Sequence, residues 1–130
     1  MKQALLFLTL MVGSMLPADA QQSNSSEAKF DMKTYYMVFL KKGPVRNQDS
    51  ASVAKIQEQH LAHLTLMYEK KKMCIAGPFM EDGDIRGICV YATETAEEAK
   101  QLAEADPAVK CGRLQVEVHT WYAAKGSTLP

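Results

Sequence analysis

The order of hydrophobic patterns along this 130-residue chain predicts an α+β domain, two helices on one face of a four-stranded antiparallel sheet. Two observations carry that prediction. One long stretch, Ser50 to Lys72, repeats its apolar residues at helical spacing, and a second helical stretch opens with a capping box at Thr95. Around them, four short runs rich in β-branched and aromatic residues complete the order β-α-β-β-α-β.

The chain opens with a leader. Met1-Lys2 is a short positive head, Ala4 to Leu16 is an almost unbroken apolar run, and Ala18-Asp19-Ala20 offers small residues where a signal peptidase reads. Residues 1–20 are therefore expected to be a secretory signal peptide, and the mature chain to be periplasmic or secreted. The run is too short, and too interrupted by Gly13 and Ser14, to cross roughly 30 Å of hydrocarbon, and no cysteine follows it to take a lipid. No membrane association is expected after cleavage. Residues 21–32, polar and serine-rich, read as a flexible leader, 33–124 as the folded domain and 125–130 as a tail.

Within the domain, Thr34 to Lys41 is apolar at both parities, as in a central strand, and Gly43-Pro44 ends it. Winding Ser50 to Lys72 at about 100° per residue puts Val53, Ile56, Leu64, Met67 and Tyr68 on one stripe, with His60 at its middle. Asp49 and Ser50 are candidate N-caps, and Lys70, Lys71 and Lys72 suit the negative end of that helix. Met73 to Phe79 is a short strand broken at Gly77-Pro78; Glu81 to Asp84 is a turn, and Ile85 to Ala92 the returning strand. The second helix runs from Thr95 to about Ala105, buries Ala99, Leu102 and Ala103, and is halted by Asp106-Pro107. Leu114 to Tyr122 alternates, with Leu114, Val116 and Val118 inward. This is the split βαβ, or ferredoxin-like, arrangement. Its helices cover one sheet face, yet the central strand is apolar on both, with Tyr35, Met37 and Phe39 opposite Tyr36, Val38 and Leu40. An uncovered apolar face predicts a homodimer packed through the open face of the sheet.

Composition excludes several functions. Fifteen basic residues balance fifteen acidic ones, so no basic face recruits a phosphate backbone and nucleic acid is not an expected partner. Cys74, Cys89 and Cys111 cannot all pair within one chain. Cys74 and Cys89 fall on neighbouring strands where an oxidising compartment would permit a bridge, while small buried thiols are the simpler reading. No metal-ligand spacing, phosphate loop or serine or cysteine nucleophile pattern is present, so no cofactor or metal is expected.

One residue is a candidate for acid–base chemistry. His60 places a ring that takes or gives a proton near neutral pH where packing alone asks for a hydrocarbon. Its alternative role is a core histidine satisfied by a backbone carbonyl. Asp106 either caps the short turn Pro107 to Lys110 or orients His60, which antiparallel packing of the helices permits. Arg46, just before the first helix, is placed to meet an anionic ligand near that helix's positive end. Tyr35, with Tyr36 and Trp121, is a candidate wall of an aromatic pocket. Gly77 and Pro78 are candidate substrate contacts, and Gly77 and Gly87 also read as places of close backbone approach. His63 sits at the margin of the helical stripe and His119 on the outward face of the last strand.

Four fragments occur in register. Gln57 and Gln59 precede H-L-A-H-L at His60 to Leu64; A-G-P-F spans Ala76 to Phe79; A-E-A-D-P-A-V-K-x-G spans Ala103 to Gly112; and V-x-V-x-x-W spans Val116 to Trp121. Together they resemble the YciI-like (YCII-related) family over nearly the whole stretch from Tyr35 to Tyr122. That resemblance implies a ferredoxin-like fold assembled as a dimeric α+β barrel and a His–Asp site in a pocket, with the histidine at His60 and the aspartate at Asp106. It also implies base chemistry on small cyclic compounds, such as dehydrochlorinase-type elimination on hydroxylated rings.

The expected function is a small cofactor-free enzyme. It would carry out elimination, isomerisation or proton abstraction on a small cyclic or carbonyl compound, with His60 and Asp106 catalytic and Tyr35, Arg46, Gly77 and Pro78 at the substrate. The alternative is a non-catalytic ligand-binding or structural dimerisation module, which requires His60 enclosed, both ring nitrogens satisfied, and no cavity beside it.

Overall fold

The computed structural model describes residues 29–130; the expected signal peptide and the leader up to residue 28 lie outside them. The elements follow in the order β1 (Met32–Lys42), α1 (Ser50–Glu69), β2 (Met73–Pro78), β3 (Ile85–Tyr91), α2 (Ala96–Glu104), α3 (Pro107–Lys110) and β4 (Leu114–Ala124). They build the ferredoxin-like α+β arrangement, a single sheet in the order β2-β3-β1-β4 whose neighbours are all antiparallel. The one addition to the expected order is the short α3. Asp106, the residue read as a helix stop, is also the start of a new turn.

Parity decides which face is covered. Val38 pairs with Cys89 on one side and Val118 on the other, and Ala76 pairs with Cys89. This row, with Leu40 and Tyr91, forms the core against Met67 of α1 and Ala99 and Ala103 of α2. The alanines let α2 approach closely, and its Thr95 cap accepts from the Glu98 amide at 3.1 Å. The opposite parity forms the outer face, where Tyr35 tilts against Trp121 at 6.3 Å and Phe39 meets the His119 ring edge-on at 5.2 Å. His119 itself is exposed there, bonded to Glu117 at 2.7 Å.

Helix α1 differs from expectation at its end. Asp49 caps it, accepting from the Ser52 amide at 2.7 Å, but the helix stops at Glu69. The lysines form the exit. Lys71 has a positive φ of 56°, its amide donates to the Tyr68 carbonyl, and the Lys72 amide donates to the Met67 carbonyl, the paired bonds of a Schellman motif. A glycine normally marks that position, which is why the sequence extended the helix through it. Tyr68, read as part of the inner stripe, is 64% exposed, because it lies at the stripe's edge where the helix turns away from the sheet.

Two glycines are required by close approach. A Cβ on Gly43 would sit 2.1 Å from the Gly112 carbonyl oxygen, so the loop after β1 lies directly on the loop before β4. Gly43 and Val45 amides donate to the Arg113 and Gly112 carbonyls there. A Cβ on Gly87 would lie 2.6 Å from the Gly77 oxygen across the β2–β3 pair. Gly77 is different: a Cβ there meets nothing within 4 Å.

The three cysteines are free. Cys89 is buried in the core row while Cys74 is exposed at an irregularity in the β2–β3 pairing, so the considered bridge does not form. Cys111 is exposed as well. No helix of the described residues is long and apolar enough to cross a membrane.

Candidate functional site

The middle of α1 is thinly packed. Val53, Ile56 and Leu64 are only half-buried, and between them His60 is 9% exposed. The gap between this helix and the sheet is a cavity of about 360 Å³, floored by Leu40 and Cys89 and walled by Ile56, Leu64 and His60. That volume is at the lower end of the range that holds small-molecule ligands.

Behind the ring stands Asp106, 1% exposed. Helix α3 packs against α1, which brings its N-cap residue to the middle of the longer helix. Both roles foreseen for Asp106 are filled at once. Its Oδ1 accepts from the Ala108 amide at 2.8 Å, capping α3, and its Oδ2 lies 2.6 Å from His60 Nδ1. A carboxylate has only acceptors, so Nδ1–H is the donor and the neutral ring carries its lone pair on Nε2. Among the described residues Nε2 has no hydrogen-bond partner, and no buried polar side-chain atom is left unsatisfied. Nε2 is therefore the part of the ring open to the cavity. Among the described residues His60 is thus bonded at one ring nitrogen only.

The other expected site residues divide. Arg46, Gly77 and Pro78 line the cavity. Tyr35 does not: its odd parity on β1 puts it on the outer sheet face against Trp121, with the sheet between it and His60. The aromatic pocket expected from Tyr35, Tyr36 and Trp121 does not form, since Tyr36 faces the helices and donates its hydroxyl to the Glu94 carbonyl. His63 is half-buried and donates from Nε2 to the Leu102 carbonyl at 3.0 Å, tying α1 to α2.

A family model for the YCII-related domain matches residues 34–122. The chain belongs to the YCII-related family. No curated protein sequence matches it. Among solved structures it is similar to a 5-chloro-2-hydroxyhydroquinone dehydrochlorinase from Burkholderia phenoliruptrix AC1100, solved in complex with 2,5-dihydroxybenzoquinone. The two share 23% identity at a TM-score of 0.51, over 67% of this chain and 92% of the other. That likeness supports the fold of this YCII-related chain.

Two charged cavity residues were not foreseen. Arg86 of β3 and Arg113, just before β4, join Arg46 in its lining. One signal for them lay in the topology. In a β-α-β-β-α-β sheet the end of β1, the end of β2 and the starts of β3 and β4 share one edge, and Arg46, Gly77, Pro78, Arg86 and Arg113 all fall there. Cys89 reaches the cavity but offers no nucleophile, because burial first, and the Asp106 charge second, push its thiol up to about 12. Burial likewise raises Tyr91. Among the described residues no three His, Cys, Asp or Glu side chains converge as metal ligands.

Proposed function

We propose that this YCII-related protein is a small enzyme working without a cofactor, in which His60 removes a proton from a cyclic or carbonyl-containing substrate held in the cavity. The observation that carries this reading is one ring, held at Nδ1 by a buried carboxylate at 2.6 Å and open to a cavity at Nε2. An unpaired lone pair on an imidazole of fixed tautomer is what general-base catalysis needs. As Nε2 takes the proton, the ring becomes a cation already facing Asp106, so the charge is met without moving any group. Asp106 keeps its own state throughout and acts as the orienter. The electron pair left on the substrate then either expels a leaving group, giving elimination, or re-forms a bond to a proton elsewhere, giving isomerisation. The similar structure named as a dehydrochlorinase points to elimination as the first of these to try.

The outer sheet face, with half-buried Met37 and Phe39 and exposed Trp121, is the surface through which the chain would form a homodimer. Because the cavity lies on the helix side of the sheet, such a dimer leaves its entrance free. Export of the mature chain by the N-terminal leader belongs to the same reading.

The decisive variant is His60→Asn. Asparagine places an N–H near the position of Nδ1 and nothing near Nε2, so the bond to Asp106 survives and the base is deleted. Chloride release and deuterium incorporation from heavy water are to be followed over a panel of chlorinated hydroquinones and cyclic ketones, each with and without a carboxylate or phosphate substituent. The wild type is expected to turn over at least one of them and the variant to be slower by about 10²-fold or more with an unchanged fold. Equal rates in the two proteins would refute the assignment.

A further inference from the structure

All the charged side chains lining the cavity carry the same sign. Arg46, Arg86 and Arg113 line it, and no aspartate or glutamate does. They come from three segments far apart in the chain: Gly43 lets the loop after β1 lie on the Gly112-Arg113 carbonyls, and the Lys42 amide donates to the Asp84 carbonyl just before β3. Each is positioned by one arm only. Arg46 Nη1 donates to the Arg113 carbonyl at 3.1 Å and Arg113 Nη1 to Gln48 Oε1 at 3.1 Å. Arg86 uses Nη1 for the Glu81 and Gly83 carbonyls and for Asp82 Oδ1 at 2.9 Å. Among the described residues, Nε and Nη2 of all three make no hydrogen bond. Only Arg86 has a carboxylate partner there, the largely exposed Asp82, which it shares with Lys42. Asp82 is held below the usual carboxylate range first by Lys42, then by Arg86 and, more weakly, by Arg46.

Guanidinium groups held by one arm, with free N–H donors beside an apolar floor, are built to grip a planar or tetrahedral oxyanion in two-point fashion. As purely surface residues they would have no reason to meet on one side of one cavity. We infer that the substrate of this site already carries an oxyanion group, a carboxylate or a phosphate, and that Arg46, Arg86 and Arg113 select it while His60 addresses the rest of the molecule. This rests on the reading of the His60 cavity as a substrate site. It gives the site a division of labour: charge recognition at the strand-end rim, proton transfer at the α1 wall. It also favours the reaction, because a positive rim stabilises the further negative charge that appears when a proton is removed.

The test compares benzoate, its neutral isostere benzamide, and phenyl phosphate as probes of the folded mature chain. Binding is followed by NMR through the backbone amides of the cavity and the His60 ring. Either benzoate or phenyl phosphate is expected to bind at least about tenfold tighter than benzamide, with an advantage that shrinks as salt is raised; whichever is tighter names the oxyanion. Arg46→Gln and Arg113→Gln should each remove most of that advantage and leave benzamide binding within about twofold. Arg46 is exposed, so its variant retains the fold, and Arg46→Lys should restore part of the binding. Equal binding of the three probes, no binding of either anion, or arginine variants that affect benzamide and benzoate alike would overturn the proposal. His60→Asn separates the two claims: oxyanion preference retained in both proteins, with the variant turning over as fast as the wild type, defeats the general-base reading alone.

Discussion

Asp106→Ala should be among the most damaging single truncations in the domain, and the structure sets its size. Asp106 is fully buried and makes two bonds, one to the Ala108 amide and one to the His60 ring. Losing an N-cap costs about 0.5–2 kcal/mol. Leaving the His60 Nδ1–H buried without an acceptor costs a further 1–3 kcal/mol or so. Relief of the carboxylate's own desolvation offsets part of the sum, so a net loss of roughly 2–4 kcal/mol is expected. For a domain of this size that lowers Tm by on the order of 10–20 °C. Asp106→Asn is the control. Its oxygen still caps α3, and its NH2 meets Nδ1 if the ring switches its hydrogen to Nε2, so it should cost only about 1 kcal/mol while abolishing the base. Urea unfolding of the three proteins, with equal m-values, measures both losses. An alanine variant within about 0.5 kcal/mol of wild type, or an asparagine variant as unstable as the alanine one, would refute the bonding described here.

Other predictions concern the walls and the termini. Gly87→Ala should lose about 1–3 kcal/mol, since its methyl collides with the Gly77 and Pro78 backbone, whereas Gly77→Ala should lie within about 0.5 kcal/mol of wild type by thermal unfolding. A thiol reagent at pH 8 should label Cys74 and Cys111 in the native protein and reach Cys89 only on unfolding, because burial denies Cys89 its thiolate. Asp49 is held below the usual carboxylate range, mainly by the Ser52 amide, so its cap stabilises the fold above the unfolded-state value and is lost as pH falls through the folded one. Asp49→Ala should therefore melt earlier at neutral pH, and the difference should close as pH drops below about 4.

How far the sequence reaches is clear from particular residues. Periodicity placed His60 on the inner face of α1, because a ring centred among Ile56, Leu64 and Met67 has only one way to point. It could not show that this face stands off the sheet, since the gap lies beneath half-buried side chains of the helix itself. Asp106 looked ambiguous because two explanations competed, and the two oxygens of one carboxylate satisfy both. Tyr35 misled because an aromatic residue on a strand apolar at both parities carries no label for its face. Arg86 and Arg113 were hidden because each, read alone, is an ordinary cation beside a glycine. Only strand polarity, which brings the end of β1 beside the starts of β3 and β4, assembles them with Arg46.

The nitrogen-15 spectrum of the His60 ring in the wild-type protein, recorded where the ring is neutral, tests most directly whether this imidazole is poised as a base. Hydrogen on Nδ1, a bare Nε2, and an Nε2 signal that moves when an anionic probe enters the cavity are the expected result. Hydrogen on Nε2 with a bare Nδ1, or an Nε2 indifferent to every probe that binds, would contradict it.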